Sequence, residues 1–258
     1  LKKFDSENEN REPNDRTASL YGYVNYEKNI ANDYFGNQLV LPGTEAEILN
    51  INSLLSEKNW KVKSYKLDKA TETNLKKEQS PAILHIATHG YFLNEEDRKG
   101  EKILGIDSIY FALNPLLNSG LLLAVGSEGN KTDSEFSVSG LGLAEKEDGI
   151  LTAYEAMNLN LDNTELVVLS ACETGLGNVV HGEGVFGLQR AFQQAGAESV
   201  IMSLWKVSDQ HTQELMKLFY SNWLNGLQKS EAFRKAQEEI KNKYVHPYYW
   251  GAFVLIGD

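Results

Sequence analysis

The chain has 258 residues, of which 41% are hydrophobic and 24% are charged, a composition typical of a globular protein. Its formal charge of -11 at pH 7 excludes nonspecific binding to nucleic acid or to an anionic membrane, because both need a basic surface. The single cysteine allows no internal disulfide and no CxxC metal site, so we expect a reducing, cytoplasmic compartment.

The first residues differ in character from the rest of the chain. Residues 1–18 are polar and charged, and they are predicted to form a flexible tail or a linker from a preceding domain. Residues 19–258 are predicted to form one domain, with an irregular insert or loop region at about 91–150. No apolar run approaches the roughly 20 residues that span a bilayer, so we expect no membrane partner. Because the first residue is not Met, the sequence is expected to be one piece of a longer protein.

The amino-terminal half is predicted to alternate strands with one long helix. The predicted elements are a strand at LYGYVNY (20–26), a helix at LPGTEAEILNINSLLSEKN (41–59), a strand at WKVKSYKL (60–67) and a strand at PAILHIATHG (81–90). Gly43 and Thr44 are expected to cap the helix. Two apolar stretches, IDSIYFAL and SGLLLAVG, are predicted to form a hairpin joined through Asn114 and Pro115.

The carboxyl-terminal half repeats this alternation more regularly. The predicted elements are a helix at LTAYEAMNL capped by Thr152, a strand at ELVVLSAC, a helix at GEGVFGLQRAFQQAGA, a strand at ESVIMSLW, helices at DQHTQELMKLFYSNWLNG and KSEAFRKAQEEIKNKY, and a strand at WGAFVLIGD. Strands that alternate with helices of this length predict an α/β fold with three layers, in which helices cover both faces of a mostly parallel central sheet.

Two chemically reactive residues follow predicted strands. His89 ends ILHIATHG and Cys172 ends VVLSAC, and ligands of such sheets bind beyond the carboxyl ends of the strands. An accessible thiolate at Cys172 is a nucleophile, and His89 can supply the proton for a leaving amine. The N–H groups of Gly90 and Cys172 could form an oxyanion hole. The residues alone leave a second interpretation open, in which the cysteine is a small buried side chain and the histidine a turn residue.

Several motifs in consecutive order resemble one family. HIATHGYF, GILTAYEAMNL, LVVLSACETGLG, GEGVFGLQRAFQQAGAESVIMSLWKVSD and YYWGAFVLIGD together are similar to the CHAT domain, a caspase-like protease domain often attached to tetratricopeptide (TPR) repeats. The resemblance runs from about Leu20 to Asp258. It implies a caspase-like fold, with His89 as the catalytic histidine and Cys172 as the nucleophile.

The same resemblance implies where a substrate binds. Asp209, in SLWKVSD, matches the position of the acid that meets a basic P1 side chain in separase-like enzymes; the alternative is that it caps the next helix. Trp205 could line the substrate groove or could be a core aromatic. Ser203 and Leu204 are candidates for backbone pairing with the substrate strand.

The function predicted from these residues is a cysteine endopeptidase of bacterial origin that cleaves a partner protein. Its P1 preference is expected to be Lys or Arg, with an apolar P1 as the alternative. The resemblance implies a TPR or other sensor domain before this segment, and a role in stress or anti-phage defence by analogy. A catalytically inactive interaction module of the same fold is the rival hypothesis. No metal and no cofactor is expected, and the glycines of GLGNVVHGEG match no nucleotide-binding fingerprint.

Overall fold

The computed structural model describes residues 16–26, 41–94, 102–103, 106–126, 148–171, 178–180, 184–205 and 208–257. Cys172 lies outside the described residues, as do most of the predicted tail and the loop that follows SGLLLAVG. None of the helices in the described ranges combines the length and the apolar character needed to cross a bilayer.

The described strands are short and are spread along the whole chain. In chain order they are β1 (Thr17–Val24), β2 (Lys61–Leu67), β3 (Ile83–Ala87), β4 (His89–Phe92), β5 (Lys102–Ile103), β6 (Ile106–Asp107), β7 (Ser119–Leu122), β8 (Ile150–Thr152), β9 (Leu166–Leu169), β10 (Asn178–Val180), β11 (Gly184–Phe186), β12 (Ser199–Ser203) and β13 (Phe253–Gly257).

The helices range from one turn to more than four turns. They are α1 (Pro42–Glu57), α2 (Glu72–Lys76), α3 (Ser108–Leu113), α4 (Ala153–Ala156), α5 (Leu188–Gln194), α6 (Asp209–Leu224), α7 (Lys229–Lys243) and α8 (Pro247–Trp250), with a 3-10 turn at Pro115–Leu117. A capping box at α4, in which Thr152 and Glu155 bond each other's backbone N–H, confirms the predicted Thr152 cap. The predicted Gly43–Thr44 cap of α1 is wrong, because Leu41 is the N-cap.

The main sheet joins six of the described strands in the order β13-β12-β9-β3-β1-β2. The pairs β12–β9, β9–β3, β3–β1 and β1–β2 are parallel, and only the edge pair β12–β13 is antiparallel. The central strands β3, β9 and β12 are buried along their whole length, which is why they consist of nearly continuous apolar residues, whereas the edge strand β2 is largely exposed. The mostly parallel central sheet is confirmed.

Side chains that alternate along each strand separate two layers of core. In β9, Val167 and Leu169 pack with α4 and α5, whereas Leu166 and Val168 pack with α1, α6 and α7. Both layers consist of fully buried aliphatic and aromatic side chains, so helices flank the sheet on both sides. The three-layer α/β/α arrangement predicted from the sequence is therefore confirmed.

A smaller antiparallel sheet carries His89. It joins β4, β7 and β8, and His89 pairs with Leu122. The predicted hairpin of IDSIYFAL with SGLLLAVG is wrong, because most of the first stretch is helix α3 and β7 pairs with β4 and β8 instead. Phe111 of α3 is fully buried in a third apolar cluster with Tyr26 and Tyr91, so packing outweighs the strand preference of its neighbours.

The predicted helix at GEGVFGLQRAFQQAGA begins later than expected. Residues Gly184–Phe186 pair with Asn178–Val180 as an antiparallel ribbon, and α5 starts at Leu188. Glycine at 184 and 187 weakens helix formation over this part, and Gly187 becomes the N-cap residue.

Candidate active site

The carboxyl ends of β3 and β9 bring together the residues that precede the predicted catalytic pair. These strands are neighbours, with Ile86 paired to Leu169, and the N–H of Ser170 donates to the carbonyl of Ile86 at 2.9 Å. Thr88 directly precedes His89, and Ala171 directly precedes Cys172. The described structure thus places His89 at the edge where the sequence predicts it. The Cys172 side chain lies outside the described residues, so its pairing with His89 stays a prediction.

Tyr26 holds the backbone and the ring of His89 in place. The two rings are 5.5 Å apart between centroids, and the His89 N–H donates to the Tyr26 hydroxyl at 3.4 Å. The Tyr26 hydroxyl lies 2.6 Å from the Thr88 hydroxyl, which in turn donates to the carbonyl of Leu122. Because the Thr88 proton is used by Leu122, Tyr26 donates to Thr88 and accepts from His89. This chain of hydrogen bonds ties the end of β3 to the small sheet.

Burial dominates the electrostatics of Tyr26. It raises the pKa of the Tyr26 hydroxyl well above its ordinary value, whereas the hydrogen bonds with Thr88 and with His89 act in the opposite direction. The carboxylate of Asp209 adds a smaller upward effect on this pKa. Tyr26 therefore stays protonated at neutral pH, and it links the His89 side of the site to Asp209 electrostatically.

The backbone N–H of Gly90 is directed away from its neighbour strand. In an antiparallel pair, alternate residues exchange hydrogen bonds with the partner strand. Leu93 N–H donates to Asn118 at 2.7 Å, and this register continues to the pair of His89 with Leu122. Gly90 lies between two of these hydrogen-bonded pairs, so its N–H points away from β7. This direction is compatible with the oxyanion-hole role that the sequence suggests.

A small cavity opens beside the ends of β3, β9 and β12. Its volume is about 30 Å³, enough for about two water molecules. The residues around it come from four strands' ends and from the first turns of two helices; they are Leu41, Thr44, Glu47, Thr88, Ser170, Ala171, Ser203, Asp209, Thr212 and Phe253. Thr88 and Ala171 are the residues next to His89 and Cys172 in the chain, so the cavity adjoins the predicted catalytic centre.

Asp209 lies at this cavity, at the start of α6. Ser208 is the N-cap residue and Asp209 is the first helical residue, so the alternative prediction that Asp209 caps the helix is wrong. A Cβ atom on Gly43 would lie 2.5 Å from the Asp209 Cβ, so glycine is what allows the first turns of α1 and α6 to meet. The amino-terminal ends of both helices are therefore near the Asp209 side chain.

The other predicted substrate residues occupy different surroundings. Ser203 is buried at the end of β12, and its hydroxyl donates to the carbonyl of Ala171 at 2.5 Å. Leu204 donates its N–H to the carbonyl of Ala252 at 2.7 Å. Trp205 is half-buried, packs beside the core formed with α6 and α7, and donates its indole N–H to the carbonyl of Tyr248 at 3.2 Å. Trp205 thus combines a core contact with partial exposure.

Sequence reasoning missed three residues of the site. The sequence predicts Tyr26 only as part of a strand and Glu47 only as part of a helix. Ser170 was not singled out, although it lies two residues before the predicted nucleophile. One feature of the sequence could have pointed to the site: Glu47 is an acidic residue directly before Ile48, which belongs to the apolar repeat of α1. Within the described residues, no group of three or more His, Cys, Asp or Glu side chains is arranged to hold a metal ion.

Comparison with known proteins supports the resemblance seen in the motifs. The CHAT domain family matches residues 15–258. Tetratricopeptide repeat protein 28 of mouse and its human counterpart are 36% and 37% identical to the chain over 110 residues, which is 42% of this chain. That match covers only 4% of the length of those two proteins.

Solved structures show the same architecture. The Arg specific cysteine proteinase gingipain R superposes with a TM-score of 0.54 at 10% identity, over 95% of this chain and 48% of that chain. A complex of the Porphyromonas gingivalis RgpB pro- and mature domains gives a TM-score of 0.53 at 10% identity, with the same coverage of each chain. At this identity the likeness concerns the fold alone. The chain belongs to the CHAT domain family and has the caspase-like fold of cysteine proteases.

Proposed function

We propose that this protein is a cysteine endopeptidase in which Cys172 is the nucleophile and His89 the general acid and base. One observation carries the proposal: a cavity lined by carboxylates and hydroxyls lies beside the residues that directly precede His89 and Cys172. A P1 side chain must be held next to the nucleophile for its carbonyl to be attacked. The position of the cavity fits that requirement.

The mechanism follows from the chemistry of these groups. The Cys172 thiolate attacks the scissile carbonyl carbon, and the carbonyl oxygen becomes an oxyanion that accepts hydrogen bonds from the N–H groups of Gly90 and Cys172. When the tetrahedral intermediate collapses, His89 donates a proton to the leaving amine, which departs with the carboxyl-terminal product. His89 then removes a proton from water as it attacks the thioester, and the acid product and free thiol are released.

Asp209 gives the cavity a preference for a basic P1 side chain. Its carboxylate lines the cavity, and no Lys or Arg is present among the described residues of the lining. A lysine or arginine side chain in the cavity would therefore meet negative charge. Trp205, Ser203 and Leu204 follow on the same strand end and are the proposed contacts for the substrate backbone.

Regulation by a neighbouring domain is part of the proposal. The similarity to two TPR proteins supports an association of this domain with TPR repeats, which would sense a signal and activate cleavage of a partner protein. A bacterial, cytoplasmic role in stress or anti-phage defence is the proposed setting. The acidic charge of -11 favours a substrate segment with basic residues.

Active-site labelling tests the proposal. The full-length protein and its Cys172→Ala and His89→Ala variants are treated with peptidyl acyloxymethyl ketones, and the adducts are located by mass spectrometry. We expect an adduct on Cys172 of the wild type, none in Cys172→Ala, and a rate lowered by at least about a hundredfold in His89→Ala. A peptide library then reports the cleaved bonds.

The inactive interaction module is the outcome that would overturn the proposal. In that case the peptidyl probes give no Cys172 adduct and the library is not cleaved, although a small thiol reagent still alkylates the protein. Alkylation without labelling by the peptidyl probes would show that the cysteine is accessible but not catalytic.

A further inference from the structure

We propose that Glu47 is a second specificity residue of the cavity, and that the cavity selects the ammonium group of a P1 lysine over the guanidinium of arginine. This inference rests on the proposed peptidase function and deepens it. Asp209 is suggested by family resemblance, whereas Glu47 belongs to a different helix, α1, and is identified by its contacts alone.

A buried chain of hydrogen bonds fixes Glu47 from behind the cavity. His85 Nε2 lies 3.0 Å from Glu47 Oε1, and His85 Nδ1 lies 3.2 Å from the Tyr220 hydroxyl. His85 and Tyr220 are 0% exposed and Glu47 is 3% exposed. With both ring nitrogens of His85 engaged, the Glu47 side chain is held in one orientation while it lines the cavity.

The hydrogen bond from His85 engages one oxygen of the Glu47 carboxylate. Burial, and then the charge of Glu47, raise the pKa of Tyr220 well above its ordinary value, so its hydroxyl keeps the proton. The Tyr220 hydroxyl shares a hydrogen bond with His85 Nδ1, and the His85 Nε2–H donates to the Glu47 carboxylate. His85 thereby orients the Glu47 carboxylate through one of its two oxygens. The cavity therefore has two carboxylates, from Glu47 and Asp209, and no cationic side chain among the described residues of its lining.

A hydroxyl without a partner also lines the cavity. Ser170 is 6% exposed, and its Oγ has no hydrogen-bond partner among the described residues. A buried hydroxyl in this state costs free energy unless a ligand or water bonds it. Because the oxygen is at the cavity, it is available as an acceptor for a bound N–H group.

These acceptors suit an ammonium group better than a guanidinium. Lysine presents three donors in a compact tetrahedral group, whereas arginine presents five donors in a planar fork that favours two parallel bonds to one carboxylate. One oxygen of Glu47 already accepts a hydrogen bond from His85, so a guanidinium fork on Glu47 would have to share that oxygen with His85. Ser170, Glu47 and Asp209 are three separate acceptors around a volume of about 30 Å³. That geometry matches three donors on one small nitrogen.

The test compares three probes on the full-length protein. Peptidyl acyloxymethyl ketones that differ only at P1 carry lysine, arginine or norleucine, the last having an aliphatic side chain without the ammonium. The second-order rate of Cys172 labelling is measured for each. We expect the lysine probe to exceed the arginine probe by about tenfold, and Glu47→Gln to lower the ratio of lysine to norleucine labelling by at least about thirtyfold.

A second buried carboxylate supplies the matched control. Glu78 is 6% exposed and accepts hydrogen bonds from Ser19 and Tyr65 at 2.8 Å, and it does not line the cavity. Glu78→Gln should leave the lysine to norleucine ratio unchanged. Ser170→Ala removes a hydroxyl without a partner, so it should fold even if Glu47→Gln does not, and it should lower the same ratio severalfold.

Each other outcome has a distinct meaning. Arginine labelling as fast as lysine labelling, or an unchanged ratio in either Glu47→Gln or Ser170→Ala, overturns this inference and leaves the peptidase function standing. Failure of all three probes to label Cys172 in the wild type overturns the peptidase function itself.

Discussion

Two groups of carboxylates in this molecule, one in the interior and one at the cavity, differ in their surroundings. The first, here called the α2 cluster, consists of Glu72, Lys76 and Glu155. Lys76 Nζ lies 2.5 Å from Glu72 and 3.1 Å from Glu155. The second group is Glu47 with Asp209 at the cavity, where the described lining contains no cationic side chain. The contrast separates carboxylates that hold the fold together from carboxylates that we propose to contact a substrate.

The α2 cluster approaches neutrality through one lysine and one proton. Burial, and then the charge of Glu155, outweigh the effect of Lys76 and raise the pKa of Glu72 to about 9. Glu72 is therefore protonated at neutral pH, and Lys76 balances Glu155. Glu72 also accepts the N–H of Gly149 at 3.1 Å, so the cluster anchors the chain just before β8.

The largest expected effect is the loss of catalytic rate when the region beside the cavity is altered. His89→Ala removes the proposed proton donor and acceptor, and we expect the catalytic rate to fall by about a thousandfold while the unfolding free energy changes little. Initial rates on the best library peptide and urea denaturation measure the two quantities. A rate within tenfold of the wild type would show that His89 is not the catalytic histidine.

The α2 cluster should respond in the opposite way. Lys76→Met leaves Glu155 buried without its ammonium partner, and we expect a loss of about 3 kcal/mol of unfolding free energy. The lysine to norleucine selectivity of labelling should be retained, because Lys76 does not line the cavity. Urea denaturation checks the first expectation. Loss of selectivity without loss of stability would contradict the distinction between the two groups.

Tyr26→Phe tests the positioning of His89 with a smaller effect. The variant keeps the ring contact but loses the hydrogen bonds to Thr88 and from His89, which should cost about 1 kcal/mol of stability. We expect kcat to fall about tenfold with KM nearly unchanged, because Tyr26 acts through His89 and does not touch the substrate. Equal changes in kcat and KM would indicate a structural role only.

The smallest expected effect, counted per pH unit, is the change in unfolding free energy with pH. The pKa of Glu72 is raised from 4.5 to about 9 in the folded protein, so the native state binds more protons than the unfolded state between these values. Its contribution to stability is complete below pH 4.5 and is lost as the pH rises through 9, by at most about 1.4 kcal/mol per pH unit. Glu72→Gln should flatten the dependence of the unfolding free energy on pH between 4.5 and about 9. The same measurement on Glu47→Gln serves as the comparison. Parallel profiles for Glu72→Gln and the wild type would contradict the assignment.

The fold could be predicted because its information is local and repetitive. Apolar runs such as those of β3 and β9 are buried on both faces, and their carboxyl ends define the site without any knowledge of distant contacts. The same rule placed His89 at the correct edge. Family resemblance added Asp209, and the structure places it at the cavity but one residue inside the helix.

The missed parts depend on contacts between distant segments. Glu47 is 38 residues from His85, which is 135 residues from Tyr220, and no spacing rule connects them. Tyr26 is likewise recognisable only once β1 lies beside β3. The failed hairpin shows the same limit, because the burial of Phe111 against Tyr26 decides a helix where alternation favours a strand.

The antiparallel direction of β13 has a practical consequence for handling the protein. Phe253 pairs with Ser203 at the cavity edge of the sheet, whereas Gly257 pairs with Ser199 at the opposite edge. A fluorophore or an immobilisation handle attached after Gly257 therefore starts about four residues of strand, some 13 Å, from the cavity. Surface capture through that point leaves the entrance accessible to peptides, so single-molecule and array assays can use this attachment.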